Sequence, residues 1–157
     1  MFRSKNDFIT QYRQEGETTL ACIRELTDES LTQAITELDR TLGELTWHIV
    51  QSLGAFAERA GVSVEGANYS SSMPETKAEI LEEAEKVVNN TLAAYEASLT
   101  DENLNDDVDF FGHNLAKGAL LYSNITHLAH HRGQMTVLMR QADLKVPGIY
   151  GPSRDSE

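Results

Sequence analysis

Apolar residues recur at helical spacing over most of the 157-residue chain, and this pattern predicts four long helices joined by polar segments. The first stripe covers residues 4–26, and the positions predicted to face inward are Phe8, Tyr12, Thr19, Ile23 and Leu26. Segment 26–39 has no comparable stripe. It is therefore predicted to be a connection with a single helical turn.

The second helix is predicted to begin after Thr41 and to end near Arg59. Thr41 and Glu44 fit the capping-box pattern, in which each side chain accepts a hydrogen bond from the backbone N–H of the other residue. Gly61 is a typical stop signal just beyond the helix. The predicted inward face of this helix comprises Leu42, Leu45, Ile49, Leu53 and Phe56.

The second half of the chain adds two further helices. Segment 61–74 is rich in Gly and Ser and is predicted to be a long crossover between the second and third helices. The third helix is predicted to start near Pro74, because proline is tolerated in a first turn. The predicted inward face of this helix comprises Ile80, Ala84, Val87, Thr91, Tyr95 and Leu99.

Segment 99–114 is acidic and is predicted to be irregular, whereas residues 115–142 carry the fourth helical stripe. The tail cannot continue a helix past Pro147. No segment alternates as a strand of any length would. The predicted fold is therefore all-α, a four-helix bundle, formed by residues 1–157 as a single domain.

Charge and composition exclude some classes of function. The chain has 13 Lys and Arg against 25 Asp and Glu, and its net charge of −12 would repel a nucleic-acid backbone. No apolar run approaches the ~18 residues of a membrane span, and no secretory signal is evident at the start. The single cysteine, Cys22, cannot form an internal disulfide. We therefore expect a cytoplasmic protein with neither nucleic acid nor membrane as a partner.

Candidate chemistry is concentrated in the fourth helix, where three of the five histidines lie within five positions. On a helical wheel of the fourth helix with Leu121 at about 0°, His127 and His131 fall at about 240° and 280°, at the border of the apolar arc. His130 falls near 180°, outside that arc. His127 and His131 are four residues apart, a spacing that brings two imidazoles within reach of one metal ion.

A third histidine lies at the corresponding margin of the second helix. On a helical wheel of the second helix with Leu42 at about 0°, His48 falls at about 240°. It can therefore meet His127 and His131 if the second and fourth helices are neighbours. Three imidazoles would leave one coordination position open for water or substrate. The alternative is that each is an ordinary polar residue at a core margin, and spacing alone leaves both interpretations open.

Two segments resemble the DinB-like superfamily, a group of bacterial metal-binding four-helix proteins. They are "RTLGELTWHIV" (40–50) and "HLAHHRGQMTVLMRQADLKVPGIYGPSR" (127–154). The resemblance implies an up-down-down-up bundle, often dimeric, with metal ligands at His48, His127 and His131. The cofactor it implies is a divalent metal ion, with zinc or nickel favoured for three imidazoles.

The resemblance leaves the reaction open. Some relatives transfer low-molecular-weight thiols such as bacillithiol or mycothiol to electrophiles, and others isomerise or hydrolyse small substrates. The first hypothesis is accordingly a metal-dependent thiol S-transferase acting on a small electrophile. The alternatives are a hydrolase or isomerase on the same scaffold and a non-catalytic bundle that binds metal or a small molecule.

Several other residues receive predicted roles. Gln134, near 220° on the wheel, lies beside His127 and is a candidate to hydrogen-bond a metal-bound ligand, and Asn124, near 300°, is a second catalytic candidate. Arg132 is predicted to make a structural ion pair. His113 and His130 are predicted to be solvated, although His113 could instead lie at a pocket rim.

The assembly is predicted from the outer face of the second helix. On the wheel of the second helix Trp47 and Val50 lie at about 140° and 80°, away from the predicted inward face. An exposed Trp beside apolar groups is typical of a contact surface. The chain is therefore expected to form a homodimer. The alternative is that the crossover 61–74 or the C-terminal tail covers Trp47 within one chain.

Overall fold

The computed structural model describes residues 2 and 4–155, and within them it contains four long helices. These are α1 (Lys5–Arg24), α2 (Leu42–Arg59), α3 (Lys77–Ser98) and α4 (Lys117–Gln141). Short 3-10 turns occupy Glu29–Thr32 and Asn103–Asn105. The predicted all-α bundle is confirmed, as is the single turn in the first connection. None of the described helices is long and apolar enough to cross a membrane.

The relative directions of the helices follow from paired contacts. Between α1 and α3 the pairs are Arg13–Glu96 and Arg24–Glu85. Between α2 and α4 they are His48–His131 and Phe56–His127. Between α4 and the first part of the chain, which includes α1, they are Phe2–Tyr122 and Glu15–Arg132. In the first two sets the residue number rises along one helix as it falls along the other, so those helices are antiparallel. In the third set both numbers rise together, so α1 and α4 are parallel. The order is therefore up-down-down-up, and it makes α2 and α4 antiparallel neighbours.

The start of α2 agrees with the sequence prediction and that of α3 differs from it. Thr41 and Glu44 form the expected capping box, and Gly61 adopts φ +77° just beyond α2. The third helix begins at Lys77, because Thr76 and Glu79 form a second capping box. The Asp28 carboxylate also accepts from the Lys77 N–H at 2.7 Å. The predicted start near Pro74 was therefore wrong by three residues.

A small antiparallel sheet interrupts the segment that was predicted to be irregular. Strand β1 (Asp107–Phe110) pairs with β2 (His113–Ala116), in the register Phe110↔His113. The burial of β1 alternates, with the Asp side chains outward. The prediction that no strand is present was thus wrong, because an alternation over only four residues is easily taken for part of an irregular segment.

Trp47 is buried within the chain, contrary to the prediction that it forms an exposed contact surface. Its side chain is 6% exposed and its indole Nε1 donates to the Ser71 carbonyl at 3.1 Å. Val50 is fully buried as well. The crossover 61–74 therefore covers this side of α2, which is the alternative interpretation made from the sequence.

Candidate metal centre

Three imidazoles meet where α2 and α4 lie side by side. His48 comes from α2, and His127 and His131 come from consecutive turns of α4. One nitrogen from each ring lies within 4.8 Å of those of the other two. The structure therefore brings together the three histidines that the helical wheels placed at the core margins.

The donor set fits a divalent transition metal. The Nε2 atoms of His48 and His131 are 3.2 Å apart. Two ligands at the ~2.0–2.1 Å typical of zinc–imidazole bonds, at a tetrahedral angle, are separated by about 3.3 Å. In addition, His127 Nδ1 is buried and has no hydrogen-bond partner among the described residues. The three-histidine group can hold a metal ion.

The site keeps its imidazoles neutral at ordinary pH. Burial lowers the pKa of His48 to about 4, with smaller contributions from Arg40 and His131. Burial likewise lowers the pKa of His127 to about 4, with smaller contributions from the neighbouring histidines and Arg40. The pKa of His131 is also lowered, chiefly by burial. Because a neutral imidazole is the metal ligand, few protons compete with the ion near neutral pH.

Gln134 orients one of the three imidazoles. Its Oε1 lies 2.8 Å from Nδ1 of His131, so Nδ1–H can donate to the amide while Nε2 faces His48. Metal-bound histidines usually have such a partner on the second nitrogen. The sequence placed Gln134 beside His127, whereas the structure places it against His131. Its predicted contact with a metal-bound ligand stays a prediction.

The crossover 61–74 supplies an aromatic wall that the sequence analysis missed. The Tyr69 ring stacks on His48, with centroids 5.9 Å apart and an interplanar angle of 24°. The segment is held by the Ser71 carbonyl, which accepts from Trp47 Nε1 at 3.1 Å and from Gln51 Nε2 at 2.9 Å. Both donors come from α2, within one turn of His48. The burial of Trp47 thus positions Tyr69 at the site.

Two separate cavities adjoin the histidines. One of about 340 Å³ includes His131, Gln134 and Arg40 in its lining. The other, of about 270 Å³, is lined by His127 and by a group of aromatic side chains: Phe56, Tyr69, Phe110 and Phe111. Each cavity therefore gives a small molecule access to a different imidazole of the same group.

The remaining candidates lie outside this group. Asn124 is fully buried, and its Nδ2 lies 3.5 Å from the Tyr95 hydroxyl in the bundle core. Its predicted catalytic role stays a prediction. His130 is exposed on α4, and His113 is exposed on β2, as expected for solvated residues. Arg132 makes the predicted ion pair, with Glu15.

The sequence contained a signal for one of the three missed features, the short strand β1. The alternation in "DVDF" (107–110), followed by Phe-Gly, matches a short strand entering a turn. Arg40 immediately precedes the capping box and is exposed, so nothing in its own periodicity marked it as a cavity residue. Tyr69 gave no signal, because its place depends on how the crossover folds back onto α2.

Comparison with known proteins agrees with this architecture. The sequence matches the family model described as the DinB family over residues 1–156. It is 36% identical over 155 residues to the uncharacterized protein YrdA of Bacillus subtilis (strain 168), with 99% of this chain and 93% of that protein covered.

Two solved structures are similar to the fold. A DinB-like protein from Bacillus cereus ATCC 10987 gives a TM-score of 0.91 at 37% identity, covering 96% of this chain and 100% of the other. The DinB-like protein YjoA from Bacillus subtilis gives 0.74 at 22% identity, covering 94% and 98%, and this likeness concerns the fold alone. The chain belongs to the DinB family.

Proposed function

We propose that this protein is a metal-dependent enzyme that transfers a low-molecular-weight thiol of the bacillithiol type to a small electrophile, in detoxification or stress response. The observation that carries the proposal is the three-imidazole group beside two cavities. A divalent ion bound there supplies Lewis-acid chemistry that lowers the pKa of a coordinated thiol or water. Three protein ligands rather than four would leave room for that molecule.

The chain's own residues prepare the site in three ways. Burial keeps His48 and His127 neutral, and therefore able to bind metal at the pH of a cell. Gln134 holds the His131 ring so that Nε2 faces the other imidazoles. Tyr69 stacks on one face of His48. Preorganisation of this kind lowers the cost of assembling the reactive arrangement.

The cavity at His131 suits the thiol cosubstrate if that molecule carries an anionic group. Arg40 lines this cavity and makes no ion pair within the described chain, whereas every other described arginine pairs with a carboxylate. The neighbouring Asp39 carboxylate is engaged by the Thr36 hydroxyl at 2.8 Å. The Arg40 guanidinium is therefore available to a carboxylate or phosphate of the incoming thiol.

The decisive experiment supplies metal-loaded protein with bacillithiol and a chloronitrobenzene-type electrophile. We expect conjugate formation that is lost in His131→Ala and retained in His130→Ala, because the adjacent His130 is exposed and lies outside the imidazole group. Hydrolysis of ester substrates without thiol would instead identify a hydrolase. No turnover of either substrate, together with tight metal binding, would identify a non-catalytic metal-binding protein.

The metal is proposed to be zinc in the cell and zinc or nickel in purified protein. Imidazole ligands suit both ions, and nickel can be acquired from an affinity column because it binds such sites tightly. Elemental analysis of untagged protein tests the assignment. Calcium or magnesium as the tightly bound ion would contradict it, since both prefer oxygen ligands.

We also propose that the protein acts in the cytoplasm as a homodimer. Support for the dimer comes from the family resemblance and no longer from Trp47, which the crossover covers. Light scattering at micromolar concentration should give about twice the 17.5 kDa of one chain. A mass near that of one chain would refute the dimer without affecting the proposed chemistry.

A further inference from the structure

The cavity at His127 is lined mainly by aromatic side chains from three different elements, together with Ala55, Glu58 and Arg59 of α2. Phe56 comes from α2, Tyr69 from the crossover, and Phe110 and Phe111 from the β-hairpin. The Phe56 ring centroid lies 5.3 Å from that of His127 and 5.6 Å from that of Phe110. Aromatic side chains thus lead directly from the hairpin to a candidate metal ligand.

Phe111 occupies a position that its own backbone disfavours. The two-residue turn between β1 and β2 consists of Phe111 and Gly112, with φ of +53° and +80°. Turns of this type require positive φ at both central residues and prefer Asn, Asp or Gly at the first. A bulky side chain in that region is a backbone outlier, and such outliers concentrate at functional sites.

Burial of Phe111 in the core does not compensate for this conformation, because its side chain is 76% exposed. Contacts from α2 hold the hairpin instead. Arg59 forms an ion pair with Asp109 at 3.7 Å, and its guanidinium carbon lies 5.7 Å from the Phe111 ring centroid. The Phe111 ring also packs edge-on against Phe110, with centroids 4.6 Å apart. The ring therefore lines the cavity while most of its surface stays exposed.

We propose that this cavity is a binding subsite for a flat, uncharged aromatic ring, with Phe111 as the residue that covers the bound ring. The assignment rests on the proposed function in that the ring belongs to the electrophile. Since a ~150 Å³ apolar cavity binds benzene, a cavity of about 270 Å³ accommodates one or two fused rings. A ring without negative charge is favoured because the charge of Arg59 is already paired with Asp109, and the Glu58 carboxylate in the same lining would repel an anion.

The test measures binding without thiol and without turnover. ¹⁵N-labelled, metal-loaded protein is titrated with 2-naphthol, and the amide resonances of residues 56, 69, 110, 111 and 127 are followed. We expect these to shift with one dissociation constant. Cyclohexylmethanol, which is apolar and lacks a π-face, should bind a few-fold to about tenfold more weakly, as the size of aromatic pair interactions indicates.

Substitution of Phe111 separates a binding role from a structural one. Phe111→Asn places a preferred residue in the turn, so we expect the thermal midpoint to stay the same or rise while the dissociation constant for 2-naphthol rises a few-fold to about tenfold. Tyr122→Gln, which removes a half-exposed aromatic ring from α4, should leave naphthol binding unchanged.

Three results of the variant and ligand comparisons would overturn the proposal. They are an unchanged dissociation constant in Phe111→Asn, a lowered thermal midpoint in that variant, and equal affinity for naphthol and cyclohexylmethanol. Hairpin resonances that shift with protein concentration but not with naphthol would identify a second copy of the chain as the occupant, which also overturns it. Failure of the thiol assay would leave the naphthol result standing, so the two proposals fail separately.

Discussion

His131 and Arg132 are consecutive residues of α4, and each belongs to a different polar cluster. The Arg132 cluster is closed: its guanidinium donates to the Glu15 carboxylate, to Thr19 Oγ1 at 3.1 Å and to the Tyr150 hydroxyl at 2.6 Å. Tyr150 in turn donates to Glu15 Oε2 at 2.9 Å. Both charges are therefore neutralised and hydrogen-bonded within the chain.

The histidine cluster on the other side of α4 is incomplete. Its three rings place nitrogen atoms close together without a carboxylate among them, and His127 Nδ1 has no partner in the described part of the chain. Cavities open at His127 and His131. A polar cluster that satisfies itself stabilises a fold, whereas one that needs an additional species is a candidate binding site.

The largest effect is expected from opening the closed cluster. Arg132→Met leaves the Glu15 carboxylate buried without its cation, and loss of one partner of a buried pair typically costs about 3–5 kcal/mol in free energy of unfolding. Urea unfolding of the metal-free protein measures this. The double variant Glu15→Gln, Arg132→Met should recover part of the loss. A change of less than about 1 kcal/mol would show that the cluster is not structural.

Substitutions in the open cluster should affect the metal instead of the fold. His48→Ala, His127→Ala and His131→Ala each remove a predicted ligand, so we expect metal affinity to fall more than about 100-fold, beyond the range of outer-shell changes. Unfolding of the metal-free variants should differ little from wild type. His130→Ala is the matched control. Elemental analysis of the four purified variants measures the bound metal. Equal loss of metal in His130→Ala and His131→Ala would refute the predicted ligand set.

A smaller effect is expected at the boundary of the open cluster. Gln134→Ala removes the acceptor on His131 Nδ1, and such outer-shell changes cost about 10–100-fold in metal affinity. Gln134→Glu retains an acceptor oxygen and should keep most of the affinity. Competition with a chelator of known affinity gives both values. If Gln134→Ala binds metal as tightly as wild type, the amide does not position the ring.

A last effect is expected on the pH dependence of stability in the metal-free protein. His48 and His127 have a pKa of about 4 when folded, below the ~6.5 of an exposed histidine. Between these values the unfolded chain binds more protons, so their contribution to stability is complete above about pH 6.5 and is lost as the pH falls towards 4.

Histidine Cε1 proton titrations by NMR measure these two pKa values directly. In parallel, His127→Gln should flatten the decline of the unfolding free energy between pH 6.5 and 4.5 relative to wild type. Titration of His48 and His127 near pH 6.5 would show that the site is solvated rather than buried, and the two clusters would then differ less than the structure indicates.

Local signals in the sequence were sufficient for the helices and for the inward histidines. The capping box at Thr41 and the i, i+4 spacing of His127 and His131 act within one or two turns of chain, and backbone hydrogen bonding fixes that geometry whatever packs around it. The same holds for the exposure of His130. The capping box at Thr76 is equally local, and the predicted start of α3 near Pro74 did not take it into account.

Contacts between distant segments decided the rest. The wheel placed Trp47 outside the predicted inward face, but it could not show that the Ser71 carbonyl, 24 residues away, accepts from its indole. The wheel gave the angle of Gln134 about the helix axis, but it could not give the side-chain rotamer. That rotamer directs the Gln134 amide to His131 and not to His127.

What the sequence by itself determined is therefore the set of elements and the faces they present. The tertiary structure alone decided that α2 and α4 are neighbours, that His48 joins the other two histidines, and that the hairpin brings Phe110 and Phe111 to His127. The physical reason is range: helical periodicity and capping depend on residues three or four positions apart, whereas convergence depends on which apolar faces pack together, and many packings satisfy the same local pattern.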